Sequence, residues 1–204
     1  MYIIGLTGGI ASGKSAVSYT LKKMGAEVLD IDEATHKLLE PSGELYKIYL
    51  RHFGEKILME NGELDRKIIG KIIFDDLEQR QWINSVAHPL LLNVARDFLV
   101  ENLAAEKKLV VLEIPLLFEA GWESLVDEVW AVFVKRKIQI MRLMKRDNID
   151  REQAIAKINS QMPPQEICRR ADVVIKNSKL RSNIYGQVLS ALRGRFISPK
   201  KNNS

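Results

Sequence analysis

Residues 8–15 carry the side chains with the clearest chemistry in this chain. They read GGIASGKS and fit the pattern G-x-x-x-x-G-K-[ST], directly after the apolar run Ile3–Thr7 and at the start of a helical pattern, Lys14–Met24. Glycines here let backbone N–H groups turn towards phosphate oxygens, and the helix adds the positive end of its dipole. Lys14 would reach the β- and γ-phosphates, and the Ser15 hydroxyl would ligate Mg²⁺. The pattern predicts a P-loop that binds a nucleoside triphosphate; the alternative is a glycine-rich turn that precedes a lysine by chance.

Two carboxylates close the second predicted strand, Glu27–Asp30, where the sequence reads Asp30-Ile31-Asp32. A single carboxylate at the end of a strand beside a P-loop could accept the proton of an attacking hydroxyl group. The alternative is a helix N-cap, because Asp32 precedes the helical pattern Glu33–Leu39. The P-loop makes the base the better hypothesis.

Positive charge for a transferring phosphoryl group could come from Arg142 and Arg146, whose i, i+4 spacing places them on one helix face. The alternative is a solvated face on which they pair with Asp147 or Asp150. Other candidates also stay open. Glu113 could bind metal or water, or be a buried acid with backbone donors. His88 could bind substrate phosphate or be structural, whereas we expect His36 and His52 on helix surfaces.

Short apolar runs alternate with longer helical patterns, which predicts βαβ units and a parallel sheet with helices on its faces. The predicted strands are Ile3–Thr7, Glu27–Asp30, Leu109–Glu113, Glu128–Val134 and Asp172–Ile175. The predicted helices between them include Lys14–Met24, Glu78–Leu103, Ile138–Arg146 and Leu180–Arg195. Ligands of such sheets collect at the carboxyl ends of the strands, where the P-loop and Asp32 fall.

Two segments exceed what a simple crossover needs. The long insertion before the third strand contains an Asn61-Gly62 turn and could form a second-substrate surface or extra helical packing. The Arg-rich segment 135–171, broken at Pro163-Pro164, has the composition of a lid that closes over phosphates. We call residues 135–171 the lid segment.

Composition narrows the function classes. The 204 residues are 46% hydrophobic and 28% charged, as in ordinary globular proteins. The single cysteine, Cys168, excludes an internal disulfide, and we expect it to be inert. The net charge of +5 falls to +1 without residues 193–204, a basic tail that we expect to be frayed, so nucleic acid is not an expected partner. No signal peptide or membrane-spanning stretch is recognisable, which favours the cytoplasm.

These features together resemble the dephospho-CoA kinase family, in the order in which the family carries them and across residues 2–177. The blocks that carry the resemblance are LTGGIASGKS at 6–15, DID at 30–32, NGELDR at 61–66, His88-Pro89, PLLFE at 115–119, Arg142 with Arg146-Asp147, and ADVVIKN at 171–177.

The resemblance implies transfer of the γ-phosphate of ATP to the ribose 3′-hydroxyl of dephospho-CoA, with Mg²⁺ as cofactor. It implies that Asp32 is the base, with Lys14 and Arg142 as the other catalytic residues. Thr7, Arg66 and His88 would bind the acceptor together with Asp32. The implied ATP site comprises Gly8, Gly9, Ile10, Ala11, Ser12, Gly13, Lys14, Ser15, Ala16, Arg142, Arg146 and Asn177.

The resemblance also implies three parts: a nucleotide-binding core (1–33, 106–134 and 172–204), a helical CoA-binding domain (34–105) and the lid segment. Three residues depart from the family pattern. Ala11 replaces a glycine and is expected to keep φ below zero, Ala16 replaces a threonine, and Lys157 replaces a lid arginine and loses its fork geometry.

Two other functions compete with this interpretation. Another P-loop nucleoside or nucleotide kinase would share the loop, the base and the lid segment, and would differ in the insertion. A GTPase-type switch is disfavoured, because the chain has no Asn-Lys-x-Asp segment for reading guanine. The small-molecule kinase, acting as a monomer, is the preferred interpretation.

Overall fold

The computed structural model describes residues 1–178 and 181–193. It contains a five-stranded sheet in the order β2-β3-β1-β4-β5, flanked by helices. The strands are β1 (Tyr2–Thr7), β2 (Glu27–Asp30), β3 (Leu109–Glu113), β4 (Glu128–Phe133) and β5 (Val173–Lys176). The pairs β1–β3, β1–β4 and β4–β5 are parallel. The predicted α/β class with a parallel sheet is confirmed.

The helices fill the predicted gaps between the strands. They are α1 (Lys14–Lys23), α2 (Ile31–Leu38), α3 (Glu44–Phe53), α4 (Arg66–Asp75), α5 (Leu77–Ala104), α6 (Arg136–Asp147), α7 (Arg151–Asn159), α8 (Pro164–Arg170) and α9 (Arg181–Arg193). The predicted break in the lid segment is confirmed, because Pro163 is the N-cap of α8 and Pro164 its first residue. The expected end of the last helix and the basic tail from residue 194 onward lie outside the described residues.

One strand is shifted from its prediction by a residue, for a local reason. The sequence predicts that Asp172 opens the last strand, yet β5 begins at Val173. The Asp172 carboxylate accepts a hydrogen bond from Val129 N at 2.8 Å, and its own N–H donates to Val129 O. Asp172 therefore joins the loop to β4 through its side chain as well as its backbone.

The chain divides into two compact units, one formed by Met1–Val28 and the chain from Asn102 onward, the other by Leu29–Glu101. In the first unit, buried residues of the sheet pack against α1 and α9, with Ile4, Leu6 and Trp130 almost wholly buried. A separate cluster joins α6 to α7 through Ile140, Leu143, Ala154 and Ile158. This small cluster gives the lid segment a core of its own.

The second unit is helical, and α2, α3, α4 and α5 all contribute buried apolar residues to it. Leu45, Tyr49 and Phe53 recur at helical spacing along the buried face of α3. The Trp82 ring of α5 stacks on the exposed His52 ring at 3.6 Å. None of the helices in the described part of the chain is both long and apolar enough to cross a bilayer.

Candidate active site

The P-loop joins the end of β1 to the start of α1, and its glycines occupy conformations and spaces that other residues would not. Gly8 has φ 146° and Gly13 has φ 92°. A Cβ on Gly8 would lie 2.7 Å from Val132 O, and one on Gly13 would overlap the Asn177 amide. Backbone and neighbouring side chains thus require glycine at both ends of the loop.

The expectation for Ala11 is wrong, because its φ is +56°. The hydrogen bond from Ser12 N to Gly9 O closes a tight turn across Ile10 and Ala11. A left-handed conformation costs an L-residue other than glycine about 1–2 kcal/mol. The loop therefore holds Ala11 in a strained conformation, which its surroundings must maintain.

Carbonyl groups of the loop are bound by side chains around it. Ser12 O accepts hydrogen bonds from Asn177 Nδ2 at 2.8 Å and from Arg142 Nη1 at 3.3 Å. Arg142 Nη2 also donates to Asn177 O at 3.2 Å, and Lys14 Nζ donates to Gly8 O at 3.1 Å. Residues from β5's end and from α6 thus fix the orientation of the loop's peptide groups.

The N-terminus of α1 suits an anion. Gly13 precedes the helix, and no side chain of the described residues caps it, nor does an acidic residue lie in its first turn. The first N–H groups of a helix and the positive end of its dipole favour phosphate. With Lys14 and Arg142 beside it, this end of α1 has the donors and the positive charge that a phosphate requires, and binding of phosphate there stays a prediction.

The two lid arginines have different partners. Arg142 reaches the loop, whereas Arg146 Nε donates to Asp147 Oδ1 at 2.7 Å and Lys157 Nζ lies 2.9 Å from Asp147 Oδ2. The Arg146 hydrogen bond holds the pKa of the Asp147 carboxyl below its usual range. In this structure Arg146 forms an exposed ion pair with Asp147, as the alternative interpretation of its sequence predicts. Phosphate binding by Arg146 stays a prediction.

The N-cap interpretation of Asp32 is wrong, because Asp30 is the residue that caps α2. Asp30 Oδ1 accepts from Asp32 N at 2.9 Å and from Glu33 N at 3.3 Å. The helix begins at Ile31, so Asp32 is exposed in its first turn. Asp30 orients the backbone from which the Asp32 carboxylate projects, and the role of Asp32 as the base stays a prediction.

Thr7 and Glu113 are buried where β1 and β3 end, with 1% and 6% exposed. The Thr7 hydroxyl donates to Pro115 O at 3.1 Å, which joins the end of β1 to the segment after β3. In that segment Glu119 Oε1 accepts from Met162 N of the lid segment at 3.2 Å. Through these two hydrogen bonds, the segment after β3 is joined both to the end of β1 and to the lid segment at Met162.

A cavity of about 1020 Å³ lies within the second unit, between α2, the chain at 39–42 and α4. Arg66, the first residue of α4, lines it together with His36, and Arg66 Nη1 is 3.3 Å from His36 Nε2. Asp65 caps α4 by accepting from Lys67 N and Ile68 N. His88 lies half-buried in α5.

The predicted turn that precedes this site is confirmed. Gly62 has φ 79°, and its carbonyl accepts a hydrogen bond from the Tyr46 hydroxyl at 2.7 Å. Glu63 N donates to Asn61 Oδ1 at 3.1 Å. The turn directs the chain into α4 and so sets the position of Arg66.

The residues fit Mg²⁺ that is bound mainly by phosphate oxygens. Ser15 is exposed in the first turn of α1, where its hydroxyl can reach such an ion. Within residues 1–178 and 181–193 there is no cluster of three His, Cys, Asp or Glu side chains that could hold a metal. Mg²⁺ typically takes one or two protein ligands together with substrate phosphates and water, which this donor set allows.

Sequence reasoning missed two glutamines that contact the loop. Gln139 Nε2 donates to Ile10 O at 2.8 Å, and Gln161 Oε1 accepts from Ile10 N at 2.7 Å. One signal in the sequence points to Gln139: it lies four residues before Leu143, on the apolar face of α6. A polar residue on a buried helix face needs a partner. Burial raises the pKa of the Cys168 thiol, which disfavours the reactive thiolate; that Cys168 is inert stays a prediction.

A P-loop after the central strand of a parallel five-stranded sheet, with a lysine and an arginine at the loop, defines a P-loop kinase fold and site. The family model described as dephospho-CoA kinase matches residues 2–182. The chain belongs to the dephospho-CoA kinase family, as its resemblance implies.

Individual relatives agree with this assignment. The chain is 43% identical to a dephospho-CoA kinase of Carboxydothermus hydrogenoformans over 94% of its own length and 93% of the relative's. A crystal structure of a Thermus thermophilus protein has a TM-score of 0.80 at 33% identity, covering 97% of this chain and 98% of that one. The dephospho-CoA kinase of Campylobacter jejuni has a TM-score of 0.67 at 28% identity, with 94% and 95% covered.

Proposed function

We propose that this chain transfers the γ-phosphate of ATP to the ribose 3′-hydroxyl of dephospho-CoA, giving CoA and ADP, the final step of CoA synthesis. The observation that carries the proposal is the loop before α1, bound by Arg142 and Asn177, in a chain that the dephospho-CoA kinase model matches over residues 2–182. Binding of phosphates at such a loop is a property of many proteins. The family match is what selects the acceptor.

In this reaction the loop and α1 position the phosphates. The N–H groups at residues 13–15 and the Lys14 ammonium would bind phosphate oxygens, and Arg142 would add a planar, bidentate donor. The Ser15 hydroxyl would hold Mg²⁺, which when bound neutralises charge on the β- and γ-phosphates. The remaining residues of the proposed ATP site are Gly8, Gly9, Ile10, Ala11, Ser12, Ala16, Asn177 and Arg146.

Asp32 is the proposed base. Its carboxylate would accept the proton of the 3′-hydroxyl as the bond between that oxygen and Pγ forms and the bond from Pγ to the β–γ bridging oxygen breaks. ADP leaves with the bridging oxygen. Asp30 supports this role, because it caps α2 in place of Asp32 and leaves the Asp32 side chain out of the cap.

Acceptor binding is assigned to residues 34–105, with Thr7 and Asp32 at the reacting group. The Arg66 guanidinium, with His36 beside it, gives the cavity of the second unit a cationic donor suited to the phosphates of a dephospho-CoA molecule. His88 is a further proposed contact. The lid segment would close over the phosphates of ATP through Arg142. We propose that the protein acts as a monomer, and we place the reaction in the cytoplasm.

The test is ADP release by the purified protein, with dephospho-CoA, nucleosides and nucleoside monophosphates offered separately as acceptors. We expect release that requires both dephospho-CoA and Mg²⁺. The Lys14→Ala protein, purified in parallel, controls for contaminating ATPases. Turnover of nucleosides or their monophosphates without turnover of dephospho-CoA would contradict the proposal and favour another P-loop kinase.

A further inference from the structure

We propose that Gln139 and Gln161 of the lid segment are positioning residues for nucleotide binding, which hold Ile10 and through it the conformation of the P-loop. This inference rests on the proposed function, because it assumes that the loop receives ATP. The two glutamines reach the same residue from different elements. Gln139 lies in α6, and Gln161 lies between α7 and α8.

Ile10 is held through its N–H, its carbonyl and its side chain. Gln161 Oε1 accepts from Ile10 N at 2.7 Å, and Gln139 Nε2 donates to Ile10 O at 2.8 Å. The Ile10 side chain packs against the α6–α7 cluster that includes Leu143 and Ile158. Every one of these contacts comes from the lid segment, so the loop and the lid segment are mechanically linked at one residue.

The neighbouring residue explains why Ile10 needs such support. Ala11 follows it with φ +56°, a conformation that L-residues adopt rarely. A strained backbone of this kind persists only where the surroundings determine it from several sides. The hydrogen bonds on both sides of Ile10 fix the peptide planes that lead into Ala11. Those planes decide where the following N–H groups of the loop point.

Because Gln139 is buried, an apolar side chain at this position would stabilise α6 more than the glutamine does. Its side chain is 2% exposed, and its Oε1 has no hydrogen-bond partner among the described residues. A buried acceptor without a donor destabilises a fold relative to an apolar side chain of the same shape. The flanking buried positions of α6 are Ile140 and Leu143. What the glutamine provides here is its donor to Ile10 O.

Gln161 is fixed by the residue that follows it. Met162 N donates to Glu119 Oε1 at 3.2 Å, and this bond ties the chain at 161–162 to the segment after β3. Gln161 can therefore hold the Ile10 N–H from a braced position. The acceptor for the Ile10 N–H is the amide oxygen of Gln161, and a phosphate oxygen would also be an acceptor for such a group.

The experiment replaces each glutamine with methionine, which keeps the length of the side chain and removes its hydrogen bonds. Gln153→Met is the matched control, because Gln153 Oε1 also accepts from a backbone N–H in the lid segment, that of Asp150, away from the loop. We would measure the Kd of a non-hydrolysable ATP analogue with Mg²⁺ by calorimetry, the Tm without nucleotide, and the KM for both substrates.

We expect Gln139→Met and Gln161→Met each to weaken analogue binding by about 3- to 10-fold, the effect of one lost hydrogen bond. The control should change it by less than about 2-fold. The KM for ATP should rise in parallel while the KM for dephospho-CoA stays at the wild-type value. Gln139→Met should have a Tm no lower than that of the wild type, which a purely structural role would not allow.

Analogue affinities equal to that of the control would overturn the inference, as would a joint loss of Tm and affinity in Gln139→Met. A double-mutant cycle that combines Ala11→Gly with Gln139→Met is a second, independent test of the inference. If the glutamines act by holding the strained loop, the effects of Ala11→Gly and Gln139→Met are not additive; additive effects contradict the inference. A wild-type protein that binds the analogue but does not phosphorylate dephospho-CoA would refute the proposed function and leave this inference standing.

Discussion

The Ser12 carbonyl offers a quantitative test of how the loop is held, because two side chains share it as an acceptor. Asn177 Nδ2 donates to it at 2.8 Å and Arg142 Nη1 at 3.3 Å. Ser12 is 2% exposed, so water has little access to replace either donor. The perturbations are Asn177→Ala, Arg142→Met and the two together.

Either single substitution leaves the carbonyl with one donor. Asn177→Ala should therefore weaken binding of the ATP analogue by about 1 kcal/mol, or about 5-fold, the net value of one hydrogen bond. Arg142→Met should cost more, because the guanidinium is also the proposed phosphate ligand. The double variant leaves the buried Ser12 carbonyl without its side-chain donors. We therefore expect its loss of binding free energy for the analogue to exceed the sum of the two single losses by about 1–3 kcal/mol.

The assay is calorimetric titration of the four proteins with the ATP analogue and Mg²⁺. Asn159→Ala is the matched control, since Asn159 uses its Oδ1, to accept from Arg136, and does not contact the loop. Effects of the two substitutions on the free energy of analogue binding that add to within about 0.3 kcal/mol would contradict this expectation. Arg142 and Asn177 would then act independently, and Ser12 O would not be their common point of action.

Three further substitutions probe the loop, the base and the helix that carries it. Lys14→Ala should weaken ATP binding and raise the KM for ATP at least about 10-fold by loss of a charged phosphate donor; an unchanged KM would contradict the P-loop assignment. Asp32→Asn should lower kcat by about 100-fold or more while the Kd of the ATP analogue stays constant, and near-wild-type turnover would exclude Asp32 as the base. Asp30→Ala should lower the free energy of unfolding by about 1 kcal/mol, measured by urea denaturation, because α2 loses its N-cap; Asp97→Ala, at an exposed position of α5, is the control, and equal stabilities would contradict the capping role.

The strands could be predicted from the sequence because their pattern is local. The runs at 27–30 and 109–113 are bounded as predicted, and β3 is buried along its whole length, as its unbroken apolar sequence indicates. The sequence pattern predicts a start of α2 at Glu33, later than the observed start at Ile31, because Ile31 reads as a continuation of the strand. Its capping by Asp30 became visible only from the hydrogen bonds.

The site was less predictable, because its geometry depends on contacts between distant parts of the chain. Ile10 is 151 residues from Gln161 and 129 from Gln139, and no local pattern joins them. The positive φ at Ala11 follows from closure of the loop, and this closure outweighs the preference of alanine for negative φ. The i, i+4 spacing of Arg142 and Arg146 does not distinguish the two arginines, yet in the structure Arg146 pairs with Asp147 whereas Arg142 contacts the loop.

The most direct test of the proposed reaction is to identify its product. The purified protein would be incubated with ATP, Mg²⁺ and dephospho-CoA, and the product analysed by mass spectrometry and by NMR of the ribose. We expect one added phosphate, on the ribose 3′-oxygen, with one ADP formed for each CoA. Absence of this product, or a phosphate on any other oxygen of dephospho-CoA, would contradict the proposed reaction.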